Sequence, residues 1–388
     1  MVEHDALLTR SGKDSARFDL DIYRGVSAEP DEKAIFASIV EHDVDIAILR
    51  SPVATSDRLQ RLQRFGFNLI HADTLVYYAV DLTKYQPAPL RNSGITFEEA
   101  TPSDADELAG LVTRIFDGYR SHYHANPLLP AASILAGYAE WAQGHLAAGT
   151  HQRVWVVRSG GTIAAFACCR FDTIGDTCEG VLYGVHPEHA GSGLYGDLIR
   201  YTQAEFKREG FHSMKVSTQI GNFAVQKVWS REGFHMTQAF DTFHVNALLS
   251  KRHRWTETHP LRFSASQVEA FARLSGDDNP VHLDDTAARQ AGFDARICHG
   301  LLPAAELSRL FGTETPGAGT LFLGMRIAFL RPIYQEADYT LHVRFVNDPT
   351  KPGHNLAVAT VRDPKDRICM LAYSDLMRRS HVTSIATA

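Results

Sequence analysis

Phe271-Ala-Arg-Leu-Ser-Gly-Asp-Asp-Asn-Pro-Val-His-Leu-Asp284 is the most informative segment of this chain. Asp277 and His282 lie five residues apart across an Asn-Pro pair, so the two side chains cannot share one face of a regular helix. Pro280 favours an extended backbone at the residue before it, and a turn there can bring both side chains to one point. A carboxylate and an imidazole that converge on one water molecule form an acid/base pair. The alternative is an ordinary turn with His282 in the core.

A second signal lies downstream, in Ile297-Cys-His-Gly-Leu301, where Gly300 comes just before an apolar segment with the pattern of a helix. The amide of a residue at a helix N-terminus has no partner inside the helix. Such an amide can bind the negative charge that develops on a carbonyl oxygen. The sequence therefore predicts an oxyanion-binding amide at Gly300.

Residues 263–376 resemble the MaoC-like, (R)-specific enoyl-CoA hydratase family. The shared features are the opening Phe-Ala-x-Leu-Ser, the Asp-x-Asn-Pro-x-His block, Gly292-Phe293 ahead of His299-Gly300, and the run Phe329-Leu-Arg-Pro332. The resemblance implies a single hot-dog domain. Because hot-dog domains of this family pair through their sheets, it also implies a homodimer.

The same resemblance assigns roles to four residues. Asp277 and His282 would activate a water that adds to C3 of a trans-2-enoyl thioester of CoA or of acyl carrier protein. In reverse they would dehydrate an (R)-3-hydroxyacyl thioester. The Gly300 amide would polarise the thioester oxygen, and Ser308 would be the site serine on the central helix. One departure, Gln335-Glu-Ala-Asp338 where the family has Gly-Asp, is predicted to affect a turn away from the catalytic block.

A glycine-rich loop, Val185-His-Pro-Glu-His-Ala-Gly-Ser-Gly-Leu-Tyr195, follows a predicted strand and precedes a predicted helix. Glycines allow the backbone to turn so that successive amides face one point. The helix that follows adds its positive end. The pattern is typical of a pyrophosphate site, and the alternative is a glycine-rich turn that binds no ligand.

Residues 95–247 resemble the GNAT acetyltransferase family, and within it the amino-sugar acyltransferases of the TDP-fucosamine acetyltransferase type. The features are the helix start Thr101-Pro-Ser-Asp-Ala105, the Val-x-Pro before the glycine loop, the acceptor-side segment 121–127, and Asn222 followed by Gly233-Phe234. The resemblance implies that CoA or acyl-CoA is bound and that an acyl group passes to an amine, with a nucleotide-linked amino sugar as the expected acceptor. The implied CoA-binding residues are Val185, Gly191, Ser192, Gly193, Leu194, Tyr195 and Asn222.

Three positions depart from the GNAT pattern. Ala190 and Tyr195 occupy the first and last positions of the loop motif, where backbone amides can still hold a pyrophosphate. The tyrosine that usually protonates the CoA thiolate falls on Trp229, and an indole is not an acid at neutral pH. Tyr195 or water would then supply the proton. The candidates for a general base are Glu179 and His186.

Bulk composition narrows the function. The chain has 388 residues with a formal net charge of −6 and no dominant Lys/Arg cluster, which argues against nucleic acid as a partner. No apolar run has the length of a signal-peptide core or a membrane helix, so no membrane association is expected. The five cysteines form no CxxC pair, so neither a metal site nor a disulfide framework is predicted. The expected location is the cytoplasm.

The predicted fold class is a multidomain α+β and α/β protein. We expect an N-terminal α/β lobe over residues 1–92, a GNAT-like domain over 93–248, a linker over 249–260 and a MaoC-like hot-dog domain over 261–388. The predicted function is a bifunctional acyl-thioester enzyme. Two alternatives stay open: a hydratase whose GNAT half is structural or senses CoA, and a non-enzymatic thioester-binding regulator.

Overall fold

The computed structural model describes residues 7–147, 151–172, 174, 176–250, 257–347 and 353–378. Its first sheet and the helices around it comprise β1 (Thr9–Arg10), α1 (Gly12–Phe18), β2 (Ile22–Val26), α2 (Glu32–Glu41), β3 (Ile46–Pro52), β4 (Asn68–Asp81), β5 (Thr96–Glu99), α3 (Ala105–Phe116), α4 (Ala131–Gly144), β6 (Gln152–Ser159), β7 (Thr162–Asp172), β8 (Thr177–Val185), α5 (Leu194–Arg208), β9 (Ser213–Gln219), α6 (Phe223–Arg231) and β10 (His235–Asn246). The second sheet and its helices comprise β11 (Glu257–Arg262), α7 (Ala265–Ser275), α8 (Pro280–Leu283), α9 (Asp285–Gln290), α10 (Leu301–Thr313), β12 (Thr320–Phe329), β13 (Asp338–Asn347), β14 (His354–Arg362) and β15 (Ile368–Arg378).

The first sheet joins the two N-terminal units. Its order is β1-β2-β3-β10-β4-β9-β8-β7-β6-β5, so β10, from the end of the GNAT-like unit, is inserted between two strands of the N-terminal lobe. The expected boundary between the lobe (1–92) and the GNAT-like unit (93–248) lies between β4 and β5. The two units therefore share one continuous sheet.

Strands β8 and β9 are parallel and separate partway along their length. Their pairing runs from Thr177 opposite Ser213 to Gly180 opposite Val216 and goes no further. Residues 182–185 of β8 remain paired on the other side with β7, and residues 217–219 of β9 with β4. The gap between the two strand ends leaves backbone groups of both strands open to a ligand.

The second sheet has the expected hot-dog arrangement. Five antiparallel strands in the order β11-β13-β14-β15-β12 pack one face against the central helix α10. Leu307, Leu310 and Phe311 of α10 are buried against alternate residues of the strands, among them Val343 and Ala359. A period-2 pattern on each strand places these apolar side chains on the helix side.

The other face of the hot-dog sheet packs against the N-terminal lobe. Val358, Leu371 and Tyr373 share one buried cluster with Ala47 and Leu49 of β3. Each residue of this cluster alternates along its strand with residues that face the other way, so both sheets are covered on two sides.

A buried ion pair lies within this contact. Arg344 on β13 donates from Nη1 to Asp45 Oδ1 at 2.5 Å, and the side chains are 2% and 0% exposed. Arg344 also donates to the carbonyl of Leu248. On β14, Arg362 pairs with Asp43 at 3.0 Å. Two arginines of the hot-dog sheet therefore bind two aspartates of the loop between α2 and β3.

The linker prediction is wrong for residues 257–260, which belong to strand β11. β11 pairs with β13 from Glu257 opposite Val343 to Arg262 opposite Asp338, and this pairing carries a proline at position 260 on the sheet edge. Residues 251–256 lie outside the described residues. None of the helices in the described part of the chain has the length and apolar character needed to cross a membrane.

Candidate active sites

Three short elements position the predicted hydratase residues. Helix α7 ends at Gly276, whose φ of +76° suits a residue without a Cβ. Asn279 then has φ −53° and ψ 123°, the extended conformation expected before proline, and its side chain caps the one-turn helix α8. This helix carries His282. The predicted turn is therefore present, and it folds Asp277 back towards His282.

Asp277 and His282 converge, and a third residue joins them. One ring nitrogen of His282, one of His299 and a carboxylate oxygen of Asp277 all lie within 4.8 Å of one another. The two imidazole rings pack at a centroid distance of 4.0 Å. Both histidines are buried while Asp277 is exposed, so the cluster opens to solvent on the carboxylate side. Such a set can hold a water molecule, and its ligand types would also suit a metal ion.

Backbone carbonyls fix the orientation of both histidines. His282 Nδ1 lies 2.9 Å from the carbonyl of Ile297, and His299 Nε2 lies 2.9 Å from the carbonyl of Asp277. Because a carbonyl only accepts, each of these nitrogens carries a proton. In the neutral rings, His282 Nε2 and His299 Nδ1 are then acceptors. His299 Nδ1 is buried and has no hydrogen-bond partner among the described residues.

Gly300 is the N-cap of α10 and directly follows His299. No acceptor in the described part of the chain takes its amide, so this donor is free for a ligand. A Cβ at this position would lie 2.9 Å from Cζ of Phe329. Ser308 is exposed on the same helix, two turns further on. His299 is the site residue that sequence reasoning missed, although the His-Gly pair was the available signal.

Gln335 corrects one further expectation. The segment 335–338 was predicted to lie away from the catalytic block. Instead, the Gln335 side-chain amide donates to the carbonyl of His282 at 2.7 Å, and lies 3.4 Å from that of Ile297. Glu336 adopts a φ of +56°, a left-handed conformation that favours glycine. The departure from the family pattern thus contacts the backbone of His282.

The glycine-rich loop adopts the conformation that an anion site needs. Gly191 and Gly193 have φ values of +77° and +85°, and the loop leads into α5. Among the described residues, no acceptor takes the amides of Gly191, Gly193 or Tyr195. The amide of Leu194 is 3.3 Å from Oγ of Ser192. Three free amides at the positive end of a fifteen-residue helix can bind a pyrophosphate.

A cavity of about 1200 Å³ lies between the GNAT-like unit and the N-terminal lobe. The separated ends of β8 and β9 line one side of it, together with Val185, Tyr195 and Asn222. Gly191, Ser192, Gly193 and Leu194 are not part of its lining, which places the loop outside the cavity. Of the predicted CoA-binding residues, four therefore lie in the loop outside the cavity, and three (Val185, Tyr195 and Asn222) line the cavity.

Trp229 and Tyr195 both line this cavity. Trp229 is 3% exposed, and its indole nitrogen has no hydrogen-bond partner among the described residues. Burial raises the pKa of Tyr195, although the Trp229 side chain opposes this shift, so its hydroxyl is a weaker acid than that of a free tyrosine. The structure thus places Tyr195 beside Trp229, and both side chains face the cavity.

The two candidate bases do not suit the role. Glu179 lines the cavity but is held by Arg170 at 2.6 Å, and His186 is not in the cavity lining. Asp73 on β4 fits better. It lines a smaller pocket whose walls share Tyr119 and Asn222 with the large cavity. Burial raises the pKa of Asp73 to about 6, with Thr74, Arg50 and His71 opposing the shift.

The two sheets define a protein with a hot-dog region beside an Asp/His cluster and a GNAT-like region beside a glycine loop. Comparison with known families agrees with both assignments. Residues 250–367 match the MaoC like domain, and residues 117–234 match the Acetyltransferase (GNAT) family. The resemblances predicted from the sequence are therefore confirmed for the two regions.

Individual relatives match one region each. An (R)-specific enoyl-CoA hydratase of Aeromonas caviae is 42% identical over 82 residues, 21% of this chain and 61% of its own. A histidine N-acetyltransferase of Oreochromis niloticus is 24% identical over 229 residues, 57% of this chain and 59% of its own. A solved (R)-hydratase of A. caviae has a TM-score of 0.31 with 26% identity and covers 34% of this chain and all of its own. The chain spans 42% to 61% of the length of the first curated relatives it matches.

Proposed function

We propose that the hot-dog region hydrates trans-2-enoyl thioesters to (R)-3-hydroxyacyl thioesters and catalyses the reverse dehydration. The observation that carries this proposal is the cluster of Asp277, His282 and His299 beside the free amide of Gly300. The matched hydratase of A. caviae supports it by name. Acyl-chain length, and CoA against acyl carrier protein as the thioester carrier, are not specified by these residues.

The chemistry follows from the free atoms of the cluster. A water held between the Asp277 carboxylate and His282 Nε2 forms a C–O bond to C3 of the substrate while one of its protons passes to the pair. The electron pair of the C2–C3 double bond moves towards the thioester carbonyl, whose oxygen the Gly300 amide stabilises. A proton then returns to C2. Asp277 faces solvent, so water reaches the cluster from that side.

Loss of the enoyl-thioester absorbance of crotonyl-CoA tests this proposal. Asp277→Asn and His282→Gln should each slow hydration by about 100-fold or more, because each removes one acceptor of the water proton. Asp278→Asn is the matched control, since Asp278 is the exposed neighbour of Asp277. Wild-type protein that leaves crotonyl-CoA and longer enoyl thioesters unchanged would refute the assignment.

We also propose that the GNAT-like region transfers an acyl group from CoA to an amine. The glycine loop would hold the pyrophosphate, and the gap between β8 and β9 would receive the acyl end. Asp73 would take the proton of the attacking amine, and Tyr195 or water would return one to the CoA thiolate. A nucleotide-linked amino sugar is the acceptor implied by the sequence resemblance, while the O. niloticus relative is named for histidine.

Thiol release from acetyl-CoA in the presence of amines tests acyl transfer. Gly193→Trp should abolish it, because an indole at a φ of +85° both strains the loop and fills the anion site. Gly210→Trp is the control. Gly210 has a φ of +90° and open space around it, but lies at the other end of α5. Equal loss in both variants would show a general folding defect rather than a pyrophosphate site.

A second function is favoured by Trp229. If no proton reaches the thiolate, this region senses CoA and the chain is a hydratase alone. CoA binding without thiol release from any amine would support this candidate.

We further propose that the two reactions follow one another. Hydration of an enoyl-CoA would supply a 3-hydroxyacyl-CoA, whose acyl group would pass to the amine, and linkage in one chain raises the local concentration of that intermediate. Feeding crotonyl-CoA with the acceptor should yield a 3-hydroxybutyryl amide by mass spectrometry. Formation of the crotonyl amide alone would argue against the sequence.

A homodimer through the hot-dog region is also proposed. β12 is an edge strand of the second sheet and exposes Leu321, Phe322 and Leu323 by 39%, 38% and 50%. An apolar edge of this kind is a pairing surface. Light scattering should give a dimer for the wild type and a monomer for Leu323→Lys. A wild-type monomer would refute it.

A further inference from the structure

Where the N-terminal lobe lines the large cavity, Arg50 has no counter-ion among the described residues. Arg50 lies on β3, and no carboxylate of the described residues is close enough to its guanidinium to form an ion pair. Its Nε is buried and has no hydrogen-bond partner in that part of the chain. A guanidinium in such surroundings is costly unless an anion joins it.

The neighbouring cations are already neutralised. Arg24 pairs with Asp14 at 2.7 Å and also binds the hydroxyl of Tyr123. Arg17 pairs with Glu140 at 2.7 Å. Burial, with the positive charges of Arg24 and Arg50, lowers the pKa of His244 to about 3, so this ring is uncharged. Among the described arginines of this wall that are not exposed, Arg50 is therefore the one without an ion pair.

Arg50 lies in one row of the sheet with Asp73. Thr242 on β10 is the register partner of Arg50 on one side and of Asp73 on the other. Register partners in antiparallel strands share a face, so both charged side chains lie on one face of the sheet, Arg50 in the large cavity and Asp73 in the smaller pocket beside it. Two strand spacings separate their Cα atoms by about 10 Å. The wall thus presents a cation and a carboxylate to the two ends of one small molecule.

We propose that the acyl acceptor is an amine that also carries a carboxylate, an α-amino acid being the simplest case. Arg50 binds the carboxylate, and the amine lies on the side of Asp73 and of the gap between β8 and β9. The inference rests on the proposed acyl-transfer function and narrows its substrate class. Attack of the neutral amine on the thioester carbonyl forms the C–N bond and breaks the C–S bond. Asp73 takes the amine proton, and the CoA thiolate takes a proton from Tyr195 or water, which the protonated Asp73 then replaces through solvent.

The charge count separates this acceptor from a nucleotide-linked amino sugar. One free guanidinium matches one carboxylate. The other cations at these pockets without an ion pair among the described residues, Lys13 and Arg120, are exposed to solvent and bind an anion weakly. The two negative charges of a diphosphate would therefore share a single half-buried guanidinium.

Thiol release from acetyl-CoA, measured with matched acceptors, tests the proposal. The acceptors are the L-amino acids, their methyl esters, the amines that lack the carboxylate, and a nucleotide-linked amino sugar. We expect kcat/KM for the best amino acid to exceed that of its methyl ester by on the order of 100-fold. Arg50→Met should remove this preference by lowering only the value for the amino acid. Arg61→Met, at an exposed arginine of the same lobe, should keep it.

Two results would overturn the inference: equal rates with amino acid and ester, or a preferred nucleotide sugar whose rate Arg50→Met leaves unchanged. If no amine releases thiol, acyl transfer itself fails. Calorimetric binding of the amino acids then decides the carboxylate site separately. Binding that Arg50→Met abolishes and Arg61→Met retains supports the site, and no binding overturns it.

Discussion

His299 holds the hydratase cluster together from inside the protein. It is 2% exposed, donates to the carbonyl of Asp277 and packs against the ring of His282. Its second nitrogen has no partner in the described part of the chain, which leaves an acceptor directed at the cluster. A residue with these contacts can place the catalytic carboxylate without reacting itself.

We therefore predict that His299→Phe lowers kcat for enoyl hydration by about 10- to 100-fold, because the phenyl ring keeps the packing but loses the hydrogen bond to Asp277. KM should change less, since the thioester contacts remain. Steady-state kinetics at several pH values check this. His259→Phe, on the surface strand β11, is the control and should be silent. An unchanged kcat would mean that Asp277 is positioned by its own loop.

If Asp73 is the base, as proposed, acyl transfer should have a pH dependence with a definite sign. Burial raises the pKa of its carboxyl from 3.8 to about 6, although Arg50 and His71 oppose this shift and Asp241 adds to it. The carboxylate accepts a proton only when it is ionised. The rate of thiol release should therefore rise with pH up to about 6 and then level off. In Asp73→Asn the rise in the rate of thiol release below pH 6 should disappear, and the rate above pH 6 should fall by about 100-fold.

The control for that profile is Asp57→Asn, which changes an exposed carboxyl of the same lobe. If the rate of thiol release still rises with pH up to about 6 in Asp73→Asn, another group is the base.

The same shift affects folding in the opposite direction. Because the folded-state pKa of Asp73 lies above the unfolded value, its contribution to stability is present at low pH and is lost as the pH rises through about 6. Asp73→Asn should therefore stabilise the protein at neutral pH more than at acid pH.

At the scale of elements, the start of α10 determines where the oxyanion donor lies. The backbone of Gly300, with φ −57° and ψ −34°, is one that alanine also adopts. The obstacle is the ring of Phe329, 2.9 Å from the position of an added Cβ. Glycine is thus needed here for space rather than for backbone conformation.

Gly300→Ala should accordingly reduce hydration by about 10-fold by shifting the helix start away from the thioester oxygen. Adding Phe329→Leu should restore most of the activity, because the shorter side chain clears the space. Kinetics of the single and double variants, with circular dichroism as a check on folding, measure the effect. Failure of the double variant to recover would show that the methyl group blocks substrate directly.

Local patterns predicted the elements well. The glycine loop follows a strand and precedes a helix as expected, and a helix begins directly after Gly300. The Asp277/His282 pairing was predictable because Pro280 restricts the backbone locally. The long-range partners of the strands could not be predicted in this way. Nothing in the sequence near β10 indicates that this strand lies between β3 and β4. The contact of Gln335 with His282 likewise joins residues far apart in sequence, so local spacing could not reveal it.

For the whole molecule, the ion pair Arg344–Asp45 ties the two sheets together. Asp45→Ala leaves a guanidinium that is 2% exposed without its counter-charge and should destabilise the protein by about 3–5 kcal/mol. Arg344→Met combined with Asp45→Asn should recover most of this loss, because a neutral pair needs no solvation. Urea unfolding followed separately in both regions is the measurement. Glu306→Gln, in a surface pair with Arg309, should have no measurable effect.

The packing of the hot-dog sheet on the N-terminal lobe determines how an intermediate would pass between the two proposed reactions. The Asp277 cluster is on the α10 side of that sheet, whereas Arg50 is on the far side of β3 from the hot-dog contact. Among the described residues, two sheets stand between the two centres of one protomer and block a direct passage. Under the proposed reaction sequence, a hydroxyacyl-CoA made at one centre would leave into the medium and be recaptured at the other. A scavenger of free hydroxyacyl-CoA added in excess would then intercept it, as it could not in an enzyme with an enclosed passage.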